Sequence, residues 1–187
     1  MFIQTEATPN PAVLKFLPGR EVMGAGTREF TGPEEGRASP LAEALFRVGG
    51  VTRVFFGPDF VTVTKSEGAD WSILKARVLA AIMDQFTGGG PLIVEGEAAA
   101  AEEAYEGEAA QIVVEIKDLL DTRIRPAVAQ DGGDILFSKF EPDTGVVWLH
   151  MRGACAGCPS SAATLKAGVE NMLRHYVPEV TRVEQAL

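Results

Sequence analysis

Residues 146–177 read VVWLHMRGACAGCPSSAATLKAGVENMLRHYV, and this stretch predicts a strand, a loop and a helix in succession. The strand is Val146 to Met151, where apolar and β-branched residues dominate. Pro159 suits the first position of a helix that runs to about Tyr176. The apolar residues of that helix recur at helical spacing: Ala162, Leu165, Val169, Met172, Leu173 and Tyr176. The loop between strand and helix, Arg152 to Cys158, therefore carries both cysteines of the chain.

The residues on either side extend this unit to an α-β-β-α-β order. Gln111 to Arg125 predicts a helix that Pro126 ends or kinks, and Ile135 to Phe140 predicts a strand after a glycine turn. Asp131 and Asp134 are interpreted as polar flanks of that turn rather than as paired carboxylates. A last short strand, residues 180–183, follows Pro178. This order predicts helices packed on one small sheet.

The first part of the chain predicts a second small sheet covered by two helices. Strands are expected at residues 2–6 and 13–17, and VTRVFF (51–56) and FVTVTK (60–65) are expected to form a hairpin. Ser39 is expected to cap a helix that begins at Pro40, and Asp70 a helix from Trp71 to Phe86.

An acidic segment separates the two parts. Residues 88–110 contain six Glu, seven Ala and no Lys or Arg, so they hold −6 of the net charge of −9. Like charges repel and extend a chain, which predicts a flexible linker. A short solvated helix over residues 98–104 is the alternative, because Ala and Glu favour helices. The expected fold class is α+β, with two small α/β-layered domains at 1–87 and 111–187 joined by this acidic linker.

Charge and hydropathy narrow the function classes. The net charge of −9 argues against a nucleic-acid partner, since phosphate binding requires clustered Lys and Arg. The longest apolar run, Val78 to Met83, is too short to span a bilayer, so no membrane partner is expected. The first residues, MFIQTEATPN, look like neither a signal nor a transit peptide, which predicts a protein of the bacterial cytoplasm.

The two cysteines carry the chemistry. Small residues surround Cys155 and Cys158, so the backbone can approach whatever the sulfurs bind, and a helix start favours the thiolate. Zinc and iron–sulfur clusters normally take four protein ligands, and one chain supplies two cysteines, so two chains would complete a site. His150 and His175, the only histidines, are interpreted as ordinary surface or partly buried residues. A thiol-disulfide oxidoreductase and a structural zinc-bridged dimer remain alternatives.

The chain resembles the NifU-like, or Nfu, iron–sulfur scaffold and carrier proteins over nearly its whole length. The stretches RIRPAVAQDGGDI and MRGACAGCPSSAATLKAGVENMLRHYVPEV are similar to that family's cluster-binding domain. TPNPAVLKFLPG, SPLAEALFRVGGVTRVFFGPDFVTVTK and WSILKARVLAAIMDQF are similar to the domain that precedes it. Ala156 stands where the family pattern leads us to expect serine.

The resemblance implies a function without catalysis. It implies that Cys155 and Cys158 are the ligands of a labile 4Fe-4S cluster shared by a homodimer, with a 2Fe-2S cluster as the alternative. It also implies that clusters come from upstream assembly proteins and go to apo proteins that use 4Fe-4S clusters. The N-terminal domain would assist recognition of partners or recipients.

Overall fold

A computed structural model describes residues 1–94, 103–157 and 159–186, with the side chains of 159–161 left out. The chain divides into two compact units, Met1–Ala98 and Ala99–Leu187. Both contain helices and strands, which confirms the α+β class. The central part of the expected linker, together with most of the alternative helix at 98–104, lies outside the described residues.

The first unit is a five-stranded antiparallel sheet with helices. Its elements are β1 (Gln4–Ala7), β2 (Val13–Leu17), β3 (Arg28–Phe30), α1 (Pro33–Gly36), α2 (Pro40–Arg47), β4 (Val51–Phe56), β5 (Val61–Lys65) and α3 (Trp71–Gly88). The strand order is β1-β2-β5-β4-β3. The expected β4–β5 hairpin is confirmed, with Val54 opposite Val63 and both side chains buried.

Local sequence signals explain both long helix starts in this unit. The backbone N–H of Ala42 donates to Ser39 Oγ at 3.1 Å, and that of Ser72 donates to Asp70 Oδ1 at 2.8 Å, so both predicted caps are confirmed. The sequence did not predict α1 and β3. β3 has only three residues and pairs with β4, and the ring of Phe30 packs edge-on against Phe56 at 5.2 Å.

The second unit has the predicted α-β-β-α-β order. Its elements are α4 (Gly107–Leu119), a π-helical segment (Leu120–Ile124), α5 (Arg125–Gln130), β6 (Gly133–Glu141), β7 (Val146–Gly153), α6 (Pro159–Tyr176) and β8 (Arg182–Gln185). β6 and β7 are antiparallel, and β8 lies parallel to β7 on its other side. The central residues of the core are fully buried, among them Ile116, Ile135, Leu149 and Leu173.

The first helix of this unit differs from its predicted bounds, and of the two expectations for Pro126, that it ends the helix or kinks it, the first is wrong. Helical structure begins at Gly107 rather than Gln111 and continues past Pro126 to Gln130. The π-helical segment makes this continuation feasible: the N–H of Arg125 donates to the carbonyl of Leu120, five residues back. Pro126 then lies in the first turn of α5, where a missing N–H costs little.

The last strand is also displaced, at Arg182–Gln185 instead of 180–183. In the described ranges, no helix combines the length and apolar character needed to cross a bilayer.

Candidate metal centre

Cys155 lies in the turn that joins β7 to α6. Gly153, at the end of β7, and Gly157 adopt φ values of 63° and 81°, in the left-handed region that favours glycine. The N–H of Ala156 donates to the carbonyl of Gly153 at 3.1 Å, which closes the turn. Helix α6 begins at Pro159, as predicted. Cys158, the other sequence-predicted ligand, lies outside the described residues.

The start of β6 packs directly against this turn. Gly133 is opposite Gly153 in the β6–β7 ladder, and the N–H of Ala154 donates to the carbonyl of Gly132 at 3.2 Å. A Cβ atom on Gly133 would overlap Cys155 Sγ and would lie 2.9 Å from the carbonyl oxygen of Arg152. The backbone of Gly133 therefore forms one wall of the Cys155 site.

Cys155 is 6% exposed and belongs to the core cluster of the second unit. Its neighbours in the turn, Ala154 and Ala156, are also buried, whereas Gly157 is exposed. At Cys155 the backbone that lies close to the sulfur is that of Gly133 on β6. The sequence indicates Gly133 only as part of a glycine turn, so its contact with Cys155 is a feature that the tertiary structure adds.

An ion pair between a buried carboxylate and a partly exposed arginine lies next to Gly133. Asp134 is 3% exposed, and Arg125 donates to both of its carboxylate oxygens, from Nε to Oδ1 at 2.8 Å and from Nη2 to Oδ2 at 2.9 Å. Oδ1 also accepts from the N–H of Ile135 at 2.9 Å. The hydrogen bonds to Asp134 raise the pKa of Arg125, although burial opposes this.

Arg125 has a second carboxylate partner on the solvent side. Its Nη1 donates to Asp121 Oδ1 at 2.9 Å, and the Asp121 side chain is 62% exposed. Asp134 does flank the glycine turn, but the sequence interpretation did not predict that its carboxylate is buried and paired with Arg125. Arg125 precedes Asp134 by nine residues in the sequence. Because a turn separates them, this spacing alone does not predict that their side chains meet.

Within the described part of the chain, neither histidine belongs to a group of three or more side chains that could hold a metal ion. His150 is on β7, where burial, followed by the charge of Arg152, lowers its pKa. His175 is in the last turn of α6 and packs against the ring of Tyr176 at 5.0 Å. Within residues 1–94, 103–157 and 159–186, no three His, Cys, Asp or Glu side chains are grouped so that they could hold a metal ion.

Comparison with known proteins gives two family matches. Residues 3–89 match the family model described as "Scaffold protein Nfu/NifU N terminal", and residues 116–184 match the "NifU-like domain". The second match includes the Cys155 turn, Gly133 and both partners of the ion pair between Arg125 and Asp134.

Full-length relatives are similar over 99% of the chain. NifU-like protein 4, mitochondrial, of Arabidopsis thaliana is 53% identical, and NifU-like protein 5, mitochondrial, of the same plant is 52% identical. The NFU1 iron-sulfur cluster scaffold homolog, mitochondrial, of Drosophila ananassae is 54% identical. The chain spans 66%, 68% and 64% of the lengths of these relatives.

A solved structure is also similar in part. The solution NMR structure of a NifU-like protein from Saccharomyces cerevisiae is 26% identical, with a TM-score of 0.47. The alignment covers 51% of this chain and 87% of the yeast chain.

The predicted location, the bacterial cytoplasm, is contradicted by these comparisons. The relatives that match over 99% of the chain are named as mitochondrial proteins. The prediction relied on the first ten residues, but the relatives are longer than this chain. Where the sequence begins therefore carries no information about a leader.

Proposed function

The chain belongs to the NifU-like (Nfu) iron–sulfur cluster scaffold family, and we propose that it binds a labile 4Fe-4S cluster through Cys155 and Cys158 and passes it to apo iron–sulfur proteins. The cluster is the cargo of this activity, and the protein catalyses no reaction. Upstream assembly proteins supply the cluster, and proteins that require 4Fe-4S clusters receive it. A 2Fe-2S cluster is the alternative cargo.

The observation that carries the proposal is the position of Cys155. The residue lies in a glycine- and alanine-lined turn within the segment that matches the NifU-like domain. Thiolates are the usual protein ligands of iron–sulfur clusters, and nearby backbone amides stabilise the sulfur ligands. Cys158, three residues further along the chain, supplies the second thiolate of the same chain.

The number of ligands that a cluster needs supports binding by a dimer. A 4Fe-4S cluster takes four protein ligands. One chain supplies only two cysteines, so its own thiolates would provide half of these ligands. Two protomers would contribute four thiolates, and a cluster held between subunits without a closed cage is easily released.

Anaerobic reconstitution with iron and sulfide tests the ligand assignment. The wild-type chain is expected to become a coloured dimer with about four irons per two chains, as ligand counting requires. Cys155→Ala and Cys158→Ser are each expected to lose most of this iron and to remain monomeric. Alanine is chosen at the first position because Cys155 is buried among apolar residues, where a serine hydroxyl would itself be destabilising.

Ala156→Ser provides the matched control for this experiment. It changes a neighbouring buried residue in the same turn without removing a sulfur atom, and serine is the residue that the family pattern leads us to expect at this position. Its iron content and its mass in solution should equal those of the wild type. Full iron content in Cys155→Ala would show that the ligand assignment is incorrect.

Transfer is measured by mixing the loaded dimer with an apo ferredoxin of the 4Fe-4S type. The expected result is recovery of the ferredoxin spectrum together with loss of the dimer. An iron chelator in the mixture separates direct transfer from release into solution, because only released iron would be trapped. Complete trapping, with no loaded ferredoxin, would contradict the carrier function.

The two alternative functions, a thiol-disulfide oxidoreductase and a structural zinc-bridged dimer, predict different measurements. Metal-free protein tests the first, and freshly purified protein tests the second. A thiol-disulfide oxidoreductase would reduce or oxidise a substrate disulfide catalytically with no metal present. A structural zinc dimer would contain about one zinc per two chains when purified without air. The carrier is expected to show neither property.

A further inference from the structure

The first observation is the direct contact between the backbone of Gly133 and Cys155. A side chain at position 133 would overlap Cys155 Sγ, and two of its nearest atoms would be backbone atoms of Arg152 and Cys155. Backbone atoms cannot move aside as a flexible side chain can. The first residues of β6 therefore lie close enough to the cysteine turn to cover one side of the sulfur.

The second observation is what holds the first residues of β6 in place. Asp134, next to Gly133, is fastened by two hydrogen bonds to Arg125, on the opposite side of the glycine turn. Arg125 also donates a hydrogen bond to Asp121, which lies one helical turn earlier in the chain. Planar two-point pairing with a carboxylate fixes orientation as well as distance. The network of Asp121, Arg125 and Asp134 thus links the helix to the wall of the Cys155 site.

We propose that Arg125 is a positioning residue for Cys155, which holds Gly133 against the sulfur and keeps the thiol sheltered while no cluster is bound. This inference rests on the proposed function for its biological meaning, since Cys155 is there a cluster ligand. Its physical content is independent of iron. Weakening the ion pair should let β6 move away from the turn and should expose the sulfur more often.

The test uses the full chain with Cys158→Ser, so that Cys155 is the only thiol. The rate of alkylation by iodoacetamide under native conditions measures how often the sulfur becomes accessible. Adding Arg125→Gln should raise this rate by about tenfold or more, since the buried carboxylate of Asp134 would lose its charged partner and local opening would be favoured. Arg125→Lys should give a smaller increase, because lysine keeps the charge but cannot pair at two points.

Two controls separate positioning from general effects. Arg123→Gln makes the same charge change two residues away, where Arg123 bonds the exposed hydroxyl of Tyr176, and it should leave the rate unchanged. Val183→Ala removes buried side-chain volume opposite Val147, at the other end of β7 from Gly153. It should lower the unfolding midpoint without raising the native alkylation rate.

The comparison between Arg125→Gln and Val183→Ala is decisive. If they lower the unfolding midpoint equally and are alkylated equally fast, Arg125 acts through overall stability alone and the inference is overturned. If Arg125→Gln fails to fold, the test uses Arg125→Lys and the milder Asp121→Asn instead. Alkylation rates equal to that of the Cys158→Ser chain in both variants would also overturn the inference. Because no iron is added, these results do not depend on whether Cys155→Ala loses its cluster in the reconstitution experiment.

Discussion

Gly133 shows how one missing side chain shapes the candidate site. The residue is buried, it pairs with Gly153, and its backbone lies against the sulfur of Cys155. The constraint there is space, because the neighbouring atoms include backbone that cannot be displaced cheaply. Asp134, the next residue, illustrates the opposite case, in which a charged side chain is buried because Arg125 compensates it fully.

Gly133→Ala is therefore expected to lower the free energy of unfolding of the second unit by about 1–3 kcal/mol, as overpacking does in tight interiors. The measurement is urea unfolding followed by circular dichroism. Gly168→Ala is the matched control, because a Cβ at that exposed position of α6 meets no atom within 4 Å. It should instead stabilise by about 0.5–1 kcal/mol through helix propensity. Equal effects of the two substitutions would contradict the close approach at Gly133.

At the scale of elements, Tyr105, which precedes α4, packs against strand β6 at the edge of the sheet. β6 is an edge strand, so among the described residues one side of its backbone pairs with no strand. The hydroxyl of Tyr105 accepts a hydrogen bond from the N–H of Phe140 at 2.8 Å, and its ring packs edge-on against Phe137 at 6.4 Å. This segment was predicted to belong to the linker, yet its described part is attached to the second unit.

Tyr105→Phe should lower the free energy of unfolding by about 0.5–1.5 kcal/mol, because it removes the acceptor of the Phe140 N–H. Burial raises the pKa of Tyr105 above its ordinary value of 10.0. The folded chain therefore favours the neutral hydroxyl over the phenolate. The resulting contribution to the free energy of unfolding is fully present below pH 10.0 and is lost as the pH rises further. Urea unfolding at two pH values measures both effects. Tyr176→Phe, which alters a hydroxyl bonded only by Arg123 in the described contacts, should change stability little; a loss equal to that of Tyr105→Phe would contradict this account.

At the scale of the whole molecule, the chain has two hydrophobic cores. One belongs to the first unit and centres on residues such as Phe16, Leu45 and Ile82, and the other to the second unit around Ile116 and Leu149. Part of the predicted linker, residues 88–110, packs on the first unit. Leu92 packs on the first core, and the N–H of Val94 donates to the carbonyl of Ala38 at 2.8 Å.

Fragments of the second unit should therefore differ in stability according to where they start. A fragment of residues 103–187 retains Tyr105 and the whole of α4, whereas a fragment of residues 111–187 loses both Tyr105 and the first turn of that helix. Both should fold, since each keeps the core, but the longer fragment should have the higher urea midpoint. A difference within experimental error would show that residues 103–110 contribute nothing to the fold of this unit.

The sequence by itself determined the features that depend on local chemistry. Apolar spacing located the long helices and most strands, Ser39 and Asp70 marked helix starts, and the cysteines were placed between a strand and the helix that begins at Pro159. Quoted motifs were also enough to indicate the family. Such signals are readable because caps, turns and one-sided helices involve residues close in the chain.

Only the tertiary structure decided which distant residues meet. The ion pair of Arg125 with Asp134, the wall that Gly133 forms beside Cys155, the short β3 strand and the docking of Tyr105 on β6 follow from how the elements pack. Continuation of the helix past Pro126 likewise required the π-helical segment. Contacts of this kind are set by the packing of whole elements, and the periodicity of a single segment carries no information about its partner.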